Sequence, residues 1–266
     1  MGTHVRNPHR LVPVTVTGVE RPAEELVRVT LHAPEFRDTP GFAPDEYFGL
    51  VMPQEGQRFK PFRMGHNPRA SVSFIPRSER PTLRWYTVRH YRPADAEVDV
   101  DVVTHGDNGP GSAWFNRVRP GDTAGFLGCH PVWEPAQGRL LIVADPSSLP
   151  AARRVLSHLE ATDPASLGTT EVVVVGADEG MVEPGFADYW APLVARLHVT
   201  RTPSAASADE IARLFTVEGW DIPDTVWACG EGGMAKKVRN LAVKTWGVNS
   251  KAITWVPYWF EGRPRP

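Results

Sequence analysis

The chain has 266 residues, of which 41% are hydrophobic, and this suffices for the core of one large domain or of two ordinary ones. The formal net charge of −2 argues against general nucleic-acid binding, which requires a basic face. No apolar run approaches the ~20 residues of a membrane span. The first ten residues carry no apolar signal core, and two cysteines cannot form a disulfide framework. The simplest interpretation is a cytoplasmic protein with neither nucleic-acid nor membrane partners.

Apolar and polar residues alternate with a period close to two in the first part of the chain, which is typical of antiparallel strands. The predicted strands are Leu11–Glu20, Glu25–Ala33, 46–53, Thr82–Tyr91, Glu97–Gly106 and 122–129. The fifth strand carries valines on one face and aspartates on the other. Six short strands with this spacing predict a barrel or sandwich over residues 1–137.

Strands and helices alternate from Gly138 onwards. The apolar strand "RLLIVA" is followed by a turn and by a helix whose first turn suits Pro150. The near-continuous apolar run in "TEVVVVGADE" is typical of a strand buried on both faces of a parallel sheet. Two further helices follow, after "TPSAA" and after "ACGEG". This alternation predicts an α/β domain with a mostly parallel sheet over residues 138–266.

A glycine-rich loop, "THGDNGPGSAW", separates the fifth strand from a short predicted helix. Gly109 and Gly111 would let the backbone approach a ligand closely, and Ser112 could cap the helix. Such a turn presents unpaired N–H groups and the positive end of the helix dipole, as a diphosphate requires. A plain hairpin connection explains the glycines equally well, because the loop matches neither G-x-G-x-x-G nor a P-loop.

The strand "RWYTVRHY" is unusual material for the wall of a barrel. Arg84 and Tyr86 share one face, while Trp85, Thr87 and Arg89 share the other. An aromatic ring, a hydroxyl and guanidiniums suit a flat, anionic ligand. The alternative explanation is an amphipathic edge strand.

Together the two stretches "RWYTVR" (Arg84–Arg89) and "VTHGDNGPGSAW" (Val103–Trp114) resemble the FAD-binding signature of the siderophore-interacting proteins. This family comprises NAD(P)H- or ferredoxin-linked ferric-siderophore reductases of the ferredoxin-reductase superfamily. The similarity continues in "ADPSSLPAARRVL", "WACGEGGMAKKVRNL" and "VPYWFEG" of the second half. It implies an N-terminal antiparallel FAD-binding β-barrel (1–137), followed by a smaller α/β nucleotide-binding domain (138–266) of the ferredoxin-reductase-like kind. FAD is then the expected cofactor, NADH or NADPH a possible co-substrate, ferredoxin a possible donor, and a ferric siderophore the expected substrate.

The resemblance also implies roles for individual residues. Tyr86 would stack on the isoalloxazine and Thr87 would hydrogen-bond its reactive edge, which requires a bent strand or a shared flavin edge because the two residues face opposite ways. Trp259, near the C-terminus, could cover a flavin or adenine ring. The expected cofactor-binding residues are Arg84, Tyr86, Thr87, Arg89, His105, Gly109, Gly111, Ser112, Ala113 and Trp259. No catalytic acid is expected, because electron transfer requires none, and no metal-ligand spacing occurs in the sequence.

Three positions depart from the family pattern of basic residues around the flavin, namely Gly49, His130 and Phe260. Because Lys60 and Arg63 could replace the missing charges, the expected substrate-binding residues are Lys60, Arg63 and His130. "DPSS" also stands where "DET" is usual, and its proline removes a backbone donor. These departures leave two alternatives open. One is a related flavoenzyme recruited to a biosynthetic pathway with an organic substrate, and the other is a flavin-bearing binding protein without turnover.

The second half offers three further candidates for nucleotide binding. Gly230 and Glu231 end a strand of the predicted parallel sheet, where open α/β sheets bind ligands. Asp178 and Glu179 end another, and an acid there favours NADH over NADPH because it would repel a 2′-phosphate. An exposed turn explains these two residues equally well. Cys229 has two interpretations, a cysteine near the nicotinamide or an ordinary buried cysteine.

Overall fold

A computed structural model describes residues 9–39, 41–104 and 109–262. The chain divides into two compact units, residues 1–131 and 132–266, so the predicted division after residue 137 lies a few residues further along. Within the described ranges, no helix is both long and apolar enough to cross a membrane.

The first unit contains a seven-stranded antiparallel sheet with the order β4-β3-β7-β1-β2-β6-β5. Its strands are β1 (Leu11–Ala23), β2 (Leu26–His32), β3 (Tyr47–Met52), β4 (Thr82–Thr87), β5 (His90–Arg92), β6 (Glu97–Val103) and β7 (Thr123–His130). Its helices are α1 (Pro68–Ser73), α2 (Pro110–Arg117) and a 3-10 helix at Pro34–Asp38. The six predicted strands are confirmed, and the fourth is divided by a bend into β4 and β5.

This bend brings the two edges of the sheet together. β4 pairs with β3, and the N–H of Val88 still donates to the carbonyl of Glu46 before β3, at 3.1 Å. The next N–H, of Arg89, donates to the carbonyl of Asp99 in β6 at 2.7 Å, and β5 pairs with β6. One continuous segment therefore forms both edge strands and changes partner at the bend, as the predicted barrel requires.

The apolar residues of the alternating strands form the barrel core, and the polar residues between them face outward. Val27 and Val29 of β2 are fully buried in the interior, with Phe48 and Phe126 stacked at 4.0 Å between ring centroids. The intervening residues of β2 face outward and pair with the aspartates of β6. Hydrophobic burial on one face and ion pairing on the other thus fix the register of β2 against β6.

The second unit is an α/β fold with a five-stranded, fully parallel sheet of order β10-β9-β8-β11-β12. Its strands are β8 (Leu140–Ala144), β9 (Thr170–Val174), β10 (Arg196–Val199), β11 (Thr225–Glu231) and β12 (Ile253–Trp259). Its helices are α3 (Leu149–Thr162), α4 (Pro164–Leu167), α5 (Phe186–Trp190), α6 (Ser207–Thr216), α7 (Gly232–Lys244) and a 3-10 helix at Ser250–Ala252.

Two hydrophobic clusters cover the two faces of this sheet. Leu140, Ile142 and Ala144 of β8 belong to one, and Leu141 and Val143 to the other. The apolar strands are therefore buried on both faces, as predicted. The chain runs outward from β8 to β10 and then returns to β11 on the other side, so the strand order reverses between β8 and β11. Doubly wound sheets bind ligands at the carboxyl ends of the strands at this switch point.

Candidate functional site

Helix α2 begins at Pro110, and no side chain in the described part of the chain caps its N-terminus. Its N-cap residue is Gly109, which makes no side-chain cap hydrogen bond. The prediction that Ser112 caps the helix is wrong, because Pro110 suits the first helical position and leaves Ser112 inside the first turn. The N–H of Ala113 makes the first helical bond, to the carbonyl of Gly109 at 2.9 Å, so the helix itself does not use the N–H groups of Gly111 and Ser112.

The same helix end leaves space for a ligand. A Cβ at Gly109 would meet no atom of the described residues within 4 Å. The φ of Gly109 is 172°, which is ordinary extended backbone, so the open space is due to the absence of a side chain rather than to a special conformation. Among the described residues, nothing therefore fills the position of a side chain at the N-terminus of α2, where an anionic group could bind.

Tyr86 and Arg84 lie directly against the start of α2. A Cβ at Gly111 would be 2.7 Å from the Tyr86 hydroxyl oxygen and 3.8 Å from Arg84 Cγ. Glycine thus permits the close approach of strand β4 to this helix. Tyr86 also packs edge-on against Phe115 of α2, at 5.1 Å between centroids. The structure therefore brings together residues predicted from two separate stretches of the sequence.

The chemistry of this cluster is that of hydrogen-bond donors and positive charge. Burial raises the pKa of Tyr86 well above its ordinary range, and the charge of Arg84 opposes that rise only in part. The phenol therefore keeps its proton at physiological pH. Arg84 is exposed, and its Nη1 donates to the carbonyl of Leu83 at 2.9 Å. A guanidinium, a hydroxyl and backbone N–H groups together match the needs of a diphosphate.

Thr87 and Arg89 lie outside this cluster, because they face away from Tyr86 and the chain bends after β4. Thr87 is buried and pairs with Tyr47 of β3. Arg89 is also buried, and its Nε lies 3.4 Å from Asp101 Oδ2. Asp101 additionally accepts two hydrogen bonds from Arg28, at 2.7 and 2.8 Å. Contact of Arg89 or Thr87 with a flavin stays a prediction, and His105 lies outside the described residues.

His130 ends β7 within a trio of aromatic side chains. Its ring stacks on Tyr47 at 5.3 Å between centroids and meets Trp85 edge-on at 6.0 Å, while Tyr47 and Trp85 are 5.6 Å apart. Burial lowers the pKa of His130, with the charge of Glu46 opposing this shift and His9 adding to it. The imidazole is therefore neutral near pH 7. Sequence reasoning missed the ring trio, because its members come from three strands whose register was unknown.

Lys60 does not lie beside His130. The N–H of Phe59 donates to Thr123 Oγ1 at 2.8 Å, which places Lys60 beside the first residue of β7. His130 is the last residue of that eight-residue strand, which spans roughly 23 Å. Lys60 and Arg63 are both exposed. Lys60 and His130 therefore lie beside opposite ends of β7, and the substrate role of all three predicted residues stays a prediction.

A buried carboxylate occupies the switch point of the second unit. Asp145 Oδ1 accepts hydrogen bonds from the Ser147 hydroxyl (2.6 Å) and from the N–H (3.0 Å) and hydroxyl (3.2 Å) of Ser148. Asp145 Oδ2 accepts the N–H of Glu231 and the indole N–H of Trp259, both at 2.8 Å. Trp259, whose ring was predicted to cover a flavin or adenine, thus donates its indole N–H to Asp145. Its contact with such a ring stays a prediction.

The carboxyl end of β11 supports this carboxylate. Gly230 has a φ of +132°, and a Cβ there would lie 2.5 Å from Asp145 Cγ, so glycine is required. Cys229 is buried, and its carbonyl accepts the Ser148 hydroxyl at 2.7 Å, which fits the interpretation of an ordinary buried cysteine. Sequence reasoning missed Asp145, although its position directly after an apolar strand is the signal that singled out Glu231.

The two acidic residues after β9 take part in a local turn. Asp178 Oδ1 accepts the N–H of Gly180 at 2.9 Å, and Glu179 is exposed. This geometry is that of an ordinary turn. The preference for NADH over NADPH stays a prediction.

Comparison with known proteins agrees with this architecture. Two family models match in succession, the siderophore-interacting FAD-binding domain over residues 15–132 and the siderophore-interacting protein over residues 137–262. The ferric acinetobactin reductase of Acinetobacter baumannii is 24% identical over 190 residues, which cover 70% of this chain and 64% of that protein.

Solved structures show the same fold. The siderophore-interacting protein SipS from Aeromonas hydrophila superposes with a TM-score of 0.72 at 24% identity, covering 96% of this chain and 93% of its own. A ferredoxin NADP⁺ reductase from Neisseria gonorrhoeae, solved with FAD and NADP, superposes with a TM-score of 0.63 at 14% identity, covering 94% and 99%. The predicted combination of an FAD-binding barrel and a ferredoxin-reductase-like α/β domain is confirmed.

The residues at α2 fit FAD. The open space at Gly109 and the tight approach at Gly111 form a cradle that a side chain would obstruct, and the surrounding groups are donors or positive. The two matching family models together cover most of the chain. The chain therefore belongs to the siderophore-interacting protein family and is an FAD-dependent oxidoreductase.

Proposed function

We propose that this protein reduces ferric siderophores through bound FAD, with electrons from NADH or NADPH, and so releases Fe(II) in the cytoplasm. The observation that carries the proposal is the cluster of Arg84, Tyr86 and Gly111 at the uncapped N-terminus of α2. The similarity to the ferric acinetobactin reductase of Acinetobacter baumannii supports a ferric siderophore as substrate.

The residues of the chain would bind FAD and orient it. Bound FAD would supply the redox chemistry, accepting two electrons from the nucleotide and delivering them singly. The Arg84 guanidinium and the first N–H groups of α2 hold negative charge at this site. Tyr86 is protonated at neutral pH, and burial raises its pKa further. It therefore adds a hydroxyl donor and no negative charge beside the diphosphate. Reduction of Fe(III) to Fe(II) requires no proton transfer from a side chain, and the softer Fe(II) is held less tightly by hard oxygen ligands.

A second candidate, reduction of an organic substrate in a biosynthetic pathway, is favoured by the ring trio at His130. Tyr47, Trp85 and a neutral imidazole present aromatic surface without a fixed charge. Gly49, which pairs with Trp85, carries no side chain, and a Cβ there would lie 2.8 Å from Leu83 Cδ1, so that a basic residue would require the leucine to move. Such a surface attracts an anionic chelate less strongly than a cluster of lysines and arginines does.

Anaerobic spectroscopy on the FAD-saturated protein tests both candidates. We expect a flavin spectrum in the purified protein, bleaching on addition of NADH or NADPH, and reoxidation when a ferric siderophore is added. A chromogenic Fe(II) chelator should report two Fe(II) per flavin, because a reduced flavin holds two electrons.

The alternatives give different results in the same experiment. A folded protein that takes up no FAD would overturn both candidates. Bleaching without reoxidation by any ferric siderophore would overturn the first and support the organic substrate. If neither nucleotide bleaches the flavin but dithionite-reduced protein still reduces the ferric siderophore, the reductase activity stands and the donor is another one, such as a ferredoxin.

A further inference from the structure

Helix α7 begins beside the switch point, and the side chain of Glu231 occupies its N-terminus. One carboxylate oxygen accepts the N–H of Met234 at 2.8 Å, and the other lies 3.4 Å from the N–H of Glu261. Burial alone would raise the pKa of Glu231. Hydrogen bonds from the N–H groups of Gly233, Met234 and Glu261, together with the charge of Lys237, outweigh burial and lower it. The buried carboxylate is thus ionised in the position where helix N-termini hold phosphate groups.

The end of β12 closes over this carboxylate. Residues 259–261, here named the strap, make three successive contacts with the switch point. The indole N–H of Trp259 donates to Asp145, and the backbone N–H of Glu261 reaches Glu231. Between them, the ring of Phe260 covers Gly232, where an added Cβ would overlap the ring. A ring and two carboxylates therefore stand where a diphosphate would approach α7.

The other helix at the switch point, α3, is closed as well. The N–H of Ser148 donates to Asp145 Oδ1 at 3.0 Å, and that of Leu149 donates to the Asp145 carbonyl at 2.9 Å. Those of Ala151 and Ala152 both donate to the Ser148 carbonyl at 3.0 Å, and Pro150 carries no N–H. In doubly wound sheets this first strand–helix turn is the usual diphosphate site. Every N–H between Ser148 and Ala152 therefore already has an acceptor within the protein.

We infer that Glu231 is a specificity-determining residue that prevents the diphosphate of a nucleotide from binding tightly at the switch point. This inference rests on the proposed function for the choice of NADH or NADPH as donor. A diphosphate would meet the negative charges of Asp145 and Glu231 and would find the helix donors occupied. The reduced nucleotide is therefore bound weakly, and its affinity rises when the charge at position 231 is removed.

Two substitutions at this position separate charge from structure. Glu231→Ser removes the charge and the bulk but keeps a residue type that caps helices well, so α7 retains a cap. Glu231→Gln removes the charge and keeps the size. The ligands are ADP and adenosine, which differ by the diphosphate, and binding is measured by isothermal titration calorimetry on FAD-saturated protein.

We expect Glu231→Ser to bind ADP about ten-fold more tightly than the wild type, because a like charge is lost and the N–H of Glu261 no longer has a carboxylate acceptor. Glu231→Gln should gain about three-fold, because only the charge is lost. Adenosine affinity should change by less than about two-fold in both variants, since it lacks the charged group. The KM for NADH or NADPH should fall in the same order.

Asp209→Ser is the matched control, because it removes one negative charge from the first turn of α6 at an exposed position. Its ADP affinity should equal that of the wild type. An unchanged or weaker ADP affinity in folded Glu231→Ser and Glu231→Gln would overturn the inference, and so would an equal gain for adenosine. FAD content and iron reduction by dithionite-reduced protein do not depend on NADH or NADPH. Their loss would therefore count against the proposed function instead.

Discussion

The N-termini of α2 and α7 offer the same backbone groups but differ in whether a ligand can reach them. At α2 the N-cap is Gly109, which contributes no side chain, and a Cβ there would meet no atom of the described residues within 4 Å. At α7 the N-cap is Glu231, whose carboxylate accepts one of those N–H groups itself. The identity of the N-cap residue thus decides whether a helix end is a ligand site or part of the fold.

The two choices carry different costs. A glycine N-cap gives up only a few tenths of a kcal/mol relative to a good capping residue, so the barrel keeps α2 open at little expense in stability. A carboxylate N-cap stabilises its helix through the dipole, by about 0.3–1 kcal/mol, but excludes other anions. The FAD-binding unit therefore keeps its anion site available, whereas the α/β unit uses the equivalent positions for its own stability.

Gly109→Asp should produce the largest effect, because it converts the open helix end into a closed one. The extended backbone at Gly109 accepts any residue, and an aspartate there could accept the N–H of Ser112. We expect the FAD affinity to fall by about a hundred-fold or more, since a like charge facing the diphosphate costs several kcal/mol. The apoprotein should become more stable by about 0.5 kcal/mol. Flavin fluorescence titration and urea denaturation measure the two quantities.

Gly109→Asn separates charge from bulk in this experiment. Asparagine caps helices about as well as aspartate but carries no charge. We expect it to lose about ten-fold less FAD affinity than Gly109→Asp, since only the charge term differs. Equal losses in both variants would show that the space at position 109, rather than its electrostatics, admits the ligand.

Gly111→Ala should have the next largest effect, because it fills the contact between α2 and β4. Its Cβ would lie 2.7 Å from the Tyr86 hydroxyl, and relief of such overpacking costs about 1–3 kcal/mol. We expect FAD affinity to fall by about ten-fold or more in a folded protein. Tyr86→Phe removes the hydroxyl oxygen that the new Cβ would contact. The double variant should therefore recover part of the lost FAD affinity. If the two single losses simply add in a double-mutant cycle, the hydroxyl is not the obstacle.

Periodicity and turn chemistry sufficed to predict the fold because both report burial directly. Alternating valines marked β6, and an unbroken apolar run marked β9 as a strand with two covered faces. The order of the strands, and with it the switch point, was visible only in the structure. The pairing of a basic–aromatic strand with a glycine-rich loop identified the cluster at α2, because each stretch retains a local signature.

Contacts made across strands and at helix ends were beyond the sequence. The helix start at Pro110 was missed because a serine and a proline compete as signals, and the proline prevailed. The pairing of Arg89 with Asp101 depends on the bend at Val88, which no local pattern indicates. Asp145 collects donors from β11 and β12, far along the chain, so its role appears only once the sheet is assembled.

Acidification should destabilise the barrel through the buried carboxylate of Asp99. Asp99 of the barrel is held mainly by Arg92, at 2.6 and 2.7 Å. Burial would raise the pKa of Asp99, but hydrogen bonds from Arg92, His90 and Thr30 lower it well below its ordinary range. A depressed folded-state pKa contributes stability above the unfolded value of about 3.9, and this contribution is lost as the pH falls below it.

Asp99→Asn should remove that acid-dependent part of the barrel's stability. At pH 7 we expect a loss of about 1–3 kcal/mol, below the full value of a buried pair because Arg92 is partly exposed. Glu79→Gln is the control, since its pair with Lys60 at 3.2 Å is exposed and should contribute less than about 1 kcal/mol. Denaturant melts at pH 3 and pH 7 give both values. Identical pH dependence in Asp99→Asn and the wild type would exclude Asp99 as the source.

His130→Arg should have the smallest effect, because it places a permanent charge on the barrel wall rather than at a helix end. Burial lowers the pKa of His130, so the wild-type side chain is neutral at pH 7 and becomes charged only as the pH falls below its ordinary range. The KM for an anionic ferric siderophore should therefore change little between pH 7 and 8. In His130→Arg we expect that KM to fall about three-fold, with kcat and FAD content unchanged, as suits one partly exposed charge.

Lys60→Gln is the comparison for this last variant, because Lys60 lies beside the opposite end of β7. If the substrate approaches the ring trio, the KM should respond to charge at His130 and not at Lys60. A response at Lys60 alone would place the anionic substrate at the other end of the strand. A KM that changes in neither variant would favour the organic substrate, because the binding of an uncharged ligand depends little on whether residue 130 is an arginine or a neutral imidazole.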